Sequence, residues 1–183
     1  RFLRGRRGSE HAMGSHAVDD TFVLLRLSGL RRVSGDSGEV GLPRYWKSVP
    51  AGRQPSSVPS VLLTNTAEGR KPYSGVRPAV ARDLSNNATI TWLRRTRRTC
   101  RLVGTAGISC PLGEASEAYE VDIYADDTFT TVVRTITGLT NESASYSAAQ
   151  QTTDGLTPGD PISARVYQLS ETVGRGHALE FTL

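Results

Sequence analysis

The stretch A-T-I-T-W-L-R-R at positions 88–95 alternates apolar with polar side chains. In an extended strand Ala88, Ile90 and Trp92 lie on one side, and the threonines between them lie on the other. This alternation predicts a β-strand with one face against a hydrophobic core and the other in water. We therefore expect Trp92 to anchor the core of the domain.

Similar segments recur from position 72 to the end of the chain. Runs of β-branched and aromatic residues alternate with Gly, Pro, Asn, Asp and Ser, and no segment shows sustained helical periodicity. Strands are predicted at 76–82, 88–95, 119–123, 129–137, 143–148, 162–166 and 179–183. Seven short strands at this spacing predict an all-β, two-sheet sandwich over 72–183. Its core anchors are predicted to be Trp92, Tyr119, Val121, Val166 and Phe181.

Positions 1–71 carry weaker strand signals. Candidate strands at 22–27, 44–49 and 61–66 are separated by a turn-rich segment at 34–41 and by 50–60, which contains three prolines and three serines. Three short strands make a sheet that is marginal by itself. We predict that 1–71 is an accessory β segment and linker that completes an upstream or neighbouring domain.

Composition limits the class of protein. Apolar residues make up 37% of the 183-residue chain and charged residues 22%, which is ordinary for a folded domain. The longest apolar cluster, at 22–27, is interrupted by Arg26, so no membrane-spanning helix is expected. The net charge is +4, and lysine occurs only at Lys47 and Lys71, so the cations are nearly all arginine. Such a surface suits anionic glycans or acidic proteins, and we do not expect nucleic acid as the partner.

Residues 96–116 form a long insertion between the second and third predicted strands. It holds Cys100 and Cys110, the only cysteines, with nine residues between them. A disulfide would stabilise this loop by about 2.5–3 kcal/mol, and two free thiols in a reducing cell are the alternative. The cysteines lack the C-x-x-C spacing of a zinc site.

Five arginines lie at the start of this insertion and in the strand end before it. They are Arg94, Arg95, Arg97, Arg98 and Arg101. Loops mounted on a rigid sandwich often carry binding residues, so one interpretation is a contact loop. The other interpretation is a solvated arginine-rich hairpin without a partner.

No catalytic, metal-binding or cofactor-binding residues are predicted. Glu114, Glu117, Glu120 and Asp122 are close in sequence, but a glycosidase needs two carboxylates facing each other in a cleft. A strand places Glu120 and Asp122 on one face, which predicts exposed polar residues. His11, His16 and His177 include no i, i+4 pair for a metal, and no G-x-S-x-G motif is present.

The predicted sandwich resembles a fibronectin type III domain. The chain also contains longer motifs: R-F-L-R-G-R-R-G-S-E-H-A at 1–12, F-V-L-L at 22–25, R-Y-W at 44–46, I-T-W-L-R-R-T-R at 90–97, P-L-G-E-A-S-E-A-Y-E-V-D-I at 111–123, R-V-Y-Q-L-S at 165–170 and G-R-G at 174–176. These motifs resemble a second family, the C-terminal region of baseplate hub proteins of siphophages and gene transfer agents, which are megatron-type and tip attachment-like tail proteins.

This resemblance implies a non-enzymatic virion structural protein at the distal end of a tail, made in the host cytoplasm. It implies a homotrimeric hub whose partners are other tail-tip and baseplate proteins, with a contribution to host attachment. The alternative is a receptor- or glycan-binding module that uses the arginine-rich loop at 94–110. These two functions belong to different classes and differ in whether the loop binds a host-surface ligand.

Overall fold

A computed structural model describes residues 10–20, 36–98, 101, 102 and 108–183. The chain forms two compact units, one comprising residues 14–70 and the other comprising the described residues 10–13 and 71–183. The sequence-based division placed all of 1–71 in the accessory segment. Residues 10–13 instead group with the sandwich, because Glu10 is hydrogen-bonded to Arg95 and His11 is stacked on His177.

The unit of residues 14–70, which we call the accessory unit, contains a two-stranded antiparallel sheet. Strand β1, Pro43–Trp46, pairs with β2, Val61–Thr64, so that Tyr45 lies opposite Leu62. Single 3₁₀ turns occupy Ser37–Glu39, Pro55–Ser57 and Glu68–Arg70. Both strands end earlier than predicted, and the strand predicted at 22–27 lies outside the described residues. We call β1 and β2 together the ribbon.

The other unit contains the remaining strands and one short helix. These elements are β3 Val76–Arg82, β4 Ala88–Leu93, β5 Arg101–Leu102, β6 Ile108–Ser109, β7 Tyr119–Tyr124, β8 Val132–Leu139, β9 Ser143–Tyr146, α1 Ala148–Thr153, β10 Ser163–Ser170, β11 Gly174–Arg175 and β12 Leu179–Thr182. One sheet has the order β3-β4-β9, and the other has the order β11-β10-β7-β8 with β12 also paired to β10. All pairings are antiparallel. This confirms an all-β, fibronectin type III-like two-sheet sandwich.

The core lies between the two sheets. Strand β4 alternates buried and exposed residues along its length, as predicted from its sequence. The five expected anchors are all buried, with Phe181 the most exposed of them at 8%. Trp92 contacts Tyr119 edge to face, with ring centroids 5.3 Å apart. These contacts join β4 of one sheet to β7 of the other.

Several boundaries differ from the sequence predictions. The strand expected at 129–137 is β8, which begins at Val132 and continues through Gly138, a residue with φ of +73° beside a register shift. The strand expected at 162–166 extends to Ser170. Helix α1 was not predicted at all, because at six residues it is too short to show helical periodicity.

The insertion forms its own small hairpin, in which β5 pairs with β6 and Arg101 lies opposite Ser109. No helix among the described residues is long and apolar enough to cross a membrane.

Candidate functional site

The arginines predicted to form a contact loop lie at the start of the insertion. The first of them, Arg94, contacts carboxylates of the sandwich. The Arg94 guanidinium lies 3.6 Å from Glu117 and 3.7 Å from Glu142. It also donates to the backbone carbonyl of Cys110 at 3.1 Å. Arg94 therefore connects the insertion near Cys110 to Glu117 and Glu142 of the sandwich.

Arg95 is also engaged inside its unit. Its guanidinium donates to Glu10 at 2.7 Å and to the Ser74 carbonyl at 2.8 Å, and it lies over the ring of Tyr73. The hydrogen bonds from Arg95 lower the pKa of the Glu10 carboxyl below its usual value. This contact fixes the turn Glu10–Ala12 against the sandwich.

Arg97 and Arg98 differ from each other. Arg97 Nε donates to Glu114 at 3.2 Å, and the Glu114 side chain is only 7% exposed. The Arg98 side chain is exposed, and no ion pair or side-chain hydrogen bond joins its guanidinium to another described residue. The Arg101 side chain lies outside the described part. Three of the five arginines, Arg94, Arg95 and Arg97, are thus paired with carboxylates. Arg94 and Arg97 hold the insertion, and Arg95 holds the turn Glu10–Ala12.

Cys110 is disulfide-bonded. Cys100 lies outside the described residues, so its pairing with Cys110 stays a prediction. Arg94 donates to the Cys110 carbonyl, and strand β6 of the hairpin ends at Ser109, next to Cys110. The insertion is therefore held at several points along its length.

The expectation that Glu120 and Asp122 lie together on an exposed face was wrong for Asp122, which is 4% exposed. Arg175 donates two hydrogen bonds to Asp122, at 2.6 and 3.0 Å, and one to Glu120 at 2.7 Å. Asp122 also accepts from the Thr135 hydroxyl at 2.7 Å. Because a guanidinium and a hydroxyl satisfy the hydrogen-bonding oxygens of this buried carboxylate, the cluster is a structural ion pair.

A second arginine covers the outer face of β7. Arg165 donates to Glu180 at 2.7 Å and to the Tyr124 hydroxyl at 3.1 Å. Its guanidinium also lies 5.0 Å from the centroid of the Tyr124 ring and 5.2 Å from that of Phe129. Tyr124 is buried as a result, although it points away from the core between the sheets.

Next to Arg165 lies an open cleft of about 510 Å³. Its lining residues are Glu10, His11, Ser74, Arg165, Tyr167, His177, Ala178 and Glu180. Within it the imidazole rings of His11 and His177 are stacked, with centroids 3.6 Å apart and planes 12° from parallel. The positions of these histidines in the sequence give no signal of this contact, since only the fold brings residues 11 and 177 together.

No family model and no curated protein matches this chain. Among solved structures it is similar to the fourth fibronectin type III domain of a human protein, at 20% identity and a TM-score of 0.40 over 62% of this chain and 76% of that one. It is also similar to domains d3–d4 of the rat CD45 extracellular region, at 9% identity and a TM-score of 0.42 over 93% of this chain and 79% of that one. Because both TM-scores are low, the fold assignment rests on the strand order and the core.

Proposed function

We propose that this chain is a non-enzymatic structural module of a phage or gene transfer agent tail tip, where it braces the baseplate hub and contributes to host attachment. The observation that carries the proposal is the ribbon, whose eight residues are all exposed. A two-stranded sheet is marginal in water, so an apolar one needs further protein around it. The family resemblance of the motifs supplies the assembly in which that protein is found.

The ribbon is apolar on both faces. Tyr45 is 75% exposed, and the neighbouring residues Val61, Leu62 and Leu63 of β2 are 58%, 52% and 55% exposed. Since successive strand residues point to opposite faces, neither face is a polar surface suited to water. The two cations within and directly after β1 are already engaged: Arg44 donates to Glu39 at 3.1 Å, and Lys47 donates to the Pro55 carbonyl at 2.9 Å. Apolar contact with a neighbouring protein therefore fits the ribbon better than charge attraction.

The sandwich suits a bracing role because its charged groups are arranged to hold strands together. Asp122 and Asp154 each accept two hydrogen bonds from an arginine on another element. Glu114 is similarly paired with Arg97. Because arginines already occupy these carboxylates, none of the three is free to approach a substrate, which supports the proposal of a non-enzymatic module.

Localisation tests this function directly. Antibody fragments raised against the folded chain, applied to intact particles and viewed by electron microscopy, should label the distal end of the tail. Fragments against a capsid protein serve as the matched control. Label along the tail tube, on the capsid or on no part of the particle would contradict the proposal.

Exposed Arg98 supports the second candidate function, a module that binds a receptor or anionic glycan. We expect such binding to be saturable and to weaken with salt. Replacing Arg98 with Ser should then reduce binding of the chain to host surface polysaccharide. Arg53→Ser, at an exposed position in the accessory unit, is the control. Equal binding by the parent and both variants would exclude Arg98 as the contact.

A further inference from the structure

We propose that His11 and His177 form a binding site for one divalent transition-metal ion such as Zn²⁺, Ni²⁺ or Cu²⁺. The site is separate from the arginine-rich insertion and does not depend on the proposed place in a tail tip. It rests on the stacked pair of imidazoles in the cleft beside Arg165. Neutral imidazole is the side chain that these ions prefer.

The backbone holds both histidines in place. His177 follows β11, and its N–H donates to the Pro72 carbonyl at 2.9 Å. The neighbouring Gly176 N–H donates to the Gln168 carbonyl at 2.8 Å. On the other side, His11 lies in the 3₁₀ turn that the Glu10–Arg95 ion pair attaches to the sandwich. Two segments from opposite ends of the sequence are thus fixed with their rings in contact.

The distance between the rings suits a shared ion. A ring nitrogen of His11 lies within 4.8 Å of a ring nitrogen of His177. Zinc–nitrogen bonds of about 2.0–2.1 Å allow two nitrogens on one ion to be at most about 4.2 Å apart. Because the ring planes are nearly parallel, the two side chains must rotate out of the stack for both nitrogen lone pairs to point at one ion, and the short distance between the nitrogens allows this.

The charges around the cleft are balanced, so ligation by the imidazoles and not charge attraction would hold the ion. The Glu10 and Glu180 carboxylates line the cleft together with the Arg165 guanidinium. Each is held by an arginine, Arg95 and Arg165 respectively, so neither is needed as a direct ligand. The cleft is open, which leaves room for water to fill the remaining coordination positions. Two protein ligands are fewer than in built structural sites, so we expect reversible binding that does not control folding.

Titration of the full oxidised chain with Zn²⁺ tests the proposal, because the disulfide keeps thiolates from competing for the ion. Calorimetry should show saturable binding of one ion, and His11→Ala and His177→Ala should each weaken it by at least about tenfold. His16→Ala is the matched control, since His16 is exposed and hydrogen-bonded to Asp20. It should bind as the parent does.

A spectroscopic measurement separates ligation from loss of fold. Cu²⁺ bound to the parent should show nitrogen hyperfine coupling from two imidazoles, and each of the two variants should retain coupling from one. Circular dichroism identifies any variant that has unfolded. Absence of saturable binding, loss of binding in His16→Ala, or coupling unchanged in folded His11→Ala would overturn the proposal.

Discussion

Gly176 lies where the chain has no room for a side chain. A Cβ built on it would lie 2.7 Å from the Pro72 carbonyl oxygen and 3.0 Å from that of Gln168. We predict that Gly176→Ala destabilises the sandwich by about 1–3 kcal/mol, because backbone must move to relieve the overlap. Gly69→Ala, where the added Cβ meets no atom within 4 Å, should be nearly neutral. Urea unfolding of both variants measures the difference, and equal stabilities would contradict the packing described here.

Asp154 gives the sandwich an acid-sensitive contact. It accepts hydrogen bonds from Arg134 at 2.6 and 2.8 Å and from the Tyr146 hydroxyl at 2.8 Å. The Arg134 hydrogen bonds lower the pKa of Asp154 below its usual value. A carboxyl with a lowered pKa in the folded state stabilises the protein above its unfolded pKa of about 3.9. That contribution is lost as the pH falls through the lower, folded value.

Asp154→Asn tests this linkage. The variant should be less stable than the parent at neutral pH, and its stability should fall less steeply below about pH 4. Thermal unfolding measured across this pH range gives both quantities. Asp127→Asn, at an exposed carboxylate, should follow the parent curve. Parallel curves for Asp154→Asn and the parent would show that the ion pair has no such role.

Single residues show what the sequence pattern reveals and what it hides. The burial of Trp92 followed from alternation within one strand, which is a local property. The burial of Asp122 did not, because its partner Arg175 comes from a strand far along the chain. The stack of His11 on His177 is similarly invisible without the fold. Core positions can therefore be predicted from the sequence of a single strand, whereas contacts between polar residues far apart in the sequence cannot.

At the scale of elements, helix α1 depends on its first turn. The Ser147 hydroxyl accepts from the Gln150 N–H at 3.2 Å, and the Gln150 side chain accepts from the Ser147 N–H at 2.9 Å. This is a capping box, which satisfies amide groups that a six-residue helix otherwise leaves unpaired. We predict that Ser147→Ala lowers stability by about 1 kcal/mol. Ser145→Ala, at an exposed position in β9, should change it little, and chemical denaturation distinguishes the two.

The strand predicted at 143–148 overlaps the start of this helix, so the prediction missed its capping box. S-A-A-Q at 147–150 has the spacing of such a box, although no apolar run follows it. The buried side chain of α1 is Gln151, which donates to the carbonyls of Asn86 and Tyr146, both at 3.0 Å. Because the helix is held by hydrogen bonds instead of an apolar face, a search for hydrophobic periodicity misses it.

At the scale of the whole molecule, the ribbon should matter for assembly and not for the stability of the free chain. Leu63 is 55% exposed, so Leu63→Ser removes few contacts in the structure and should change stability by no more than about 0.5 kcal/mol. In particles, the same change should reduce incorporation of the chain into the tail tip. Quantifying the chain in purified particles tests this, with Leu84→Ser, at an exposed position in the sandwich, as control. Equal incorporation of both variants would show that assembly does not depend on contacts of the ribbon.

The sequence predicted the class of fold, because it follows from strand spacing and turn composition. It did not predict that residues 10–13 pack with the sandwich, since contacts between Glu10 and Arg95 depend on tertiary structure. The place in a tail tip comes from the resemblance of the motifs, and it is open to experiment.

Hydrogen exchange, compared between the free chain and intact particles, tests the central claim most directly. In the free chain the amides of β7 and β10 should exchange slowly, because these strands are paired on both sides and line the core, and those of β1 and β2 should exchange fast. In particles, β1 and β2 should become protected as a neighbouring subunit covers them. Ribbon amides that exchange equally fast in both states would contradict the account of this chain as an assembly module.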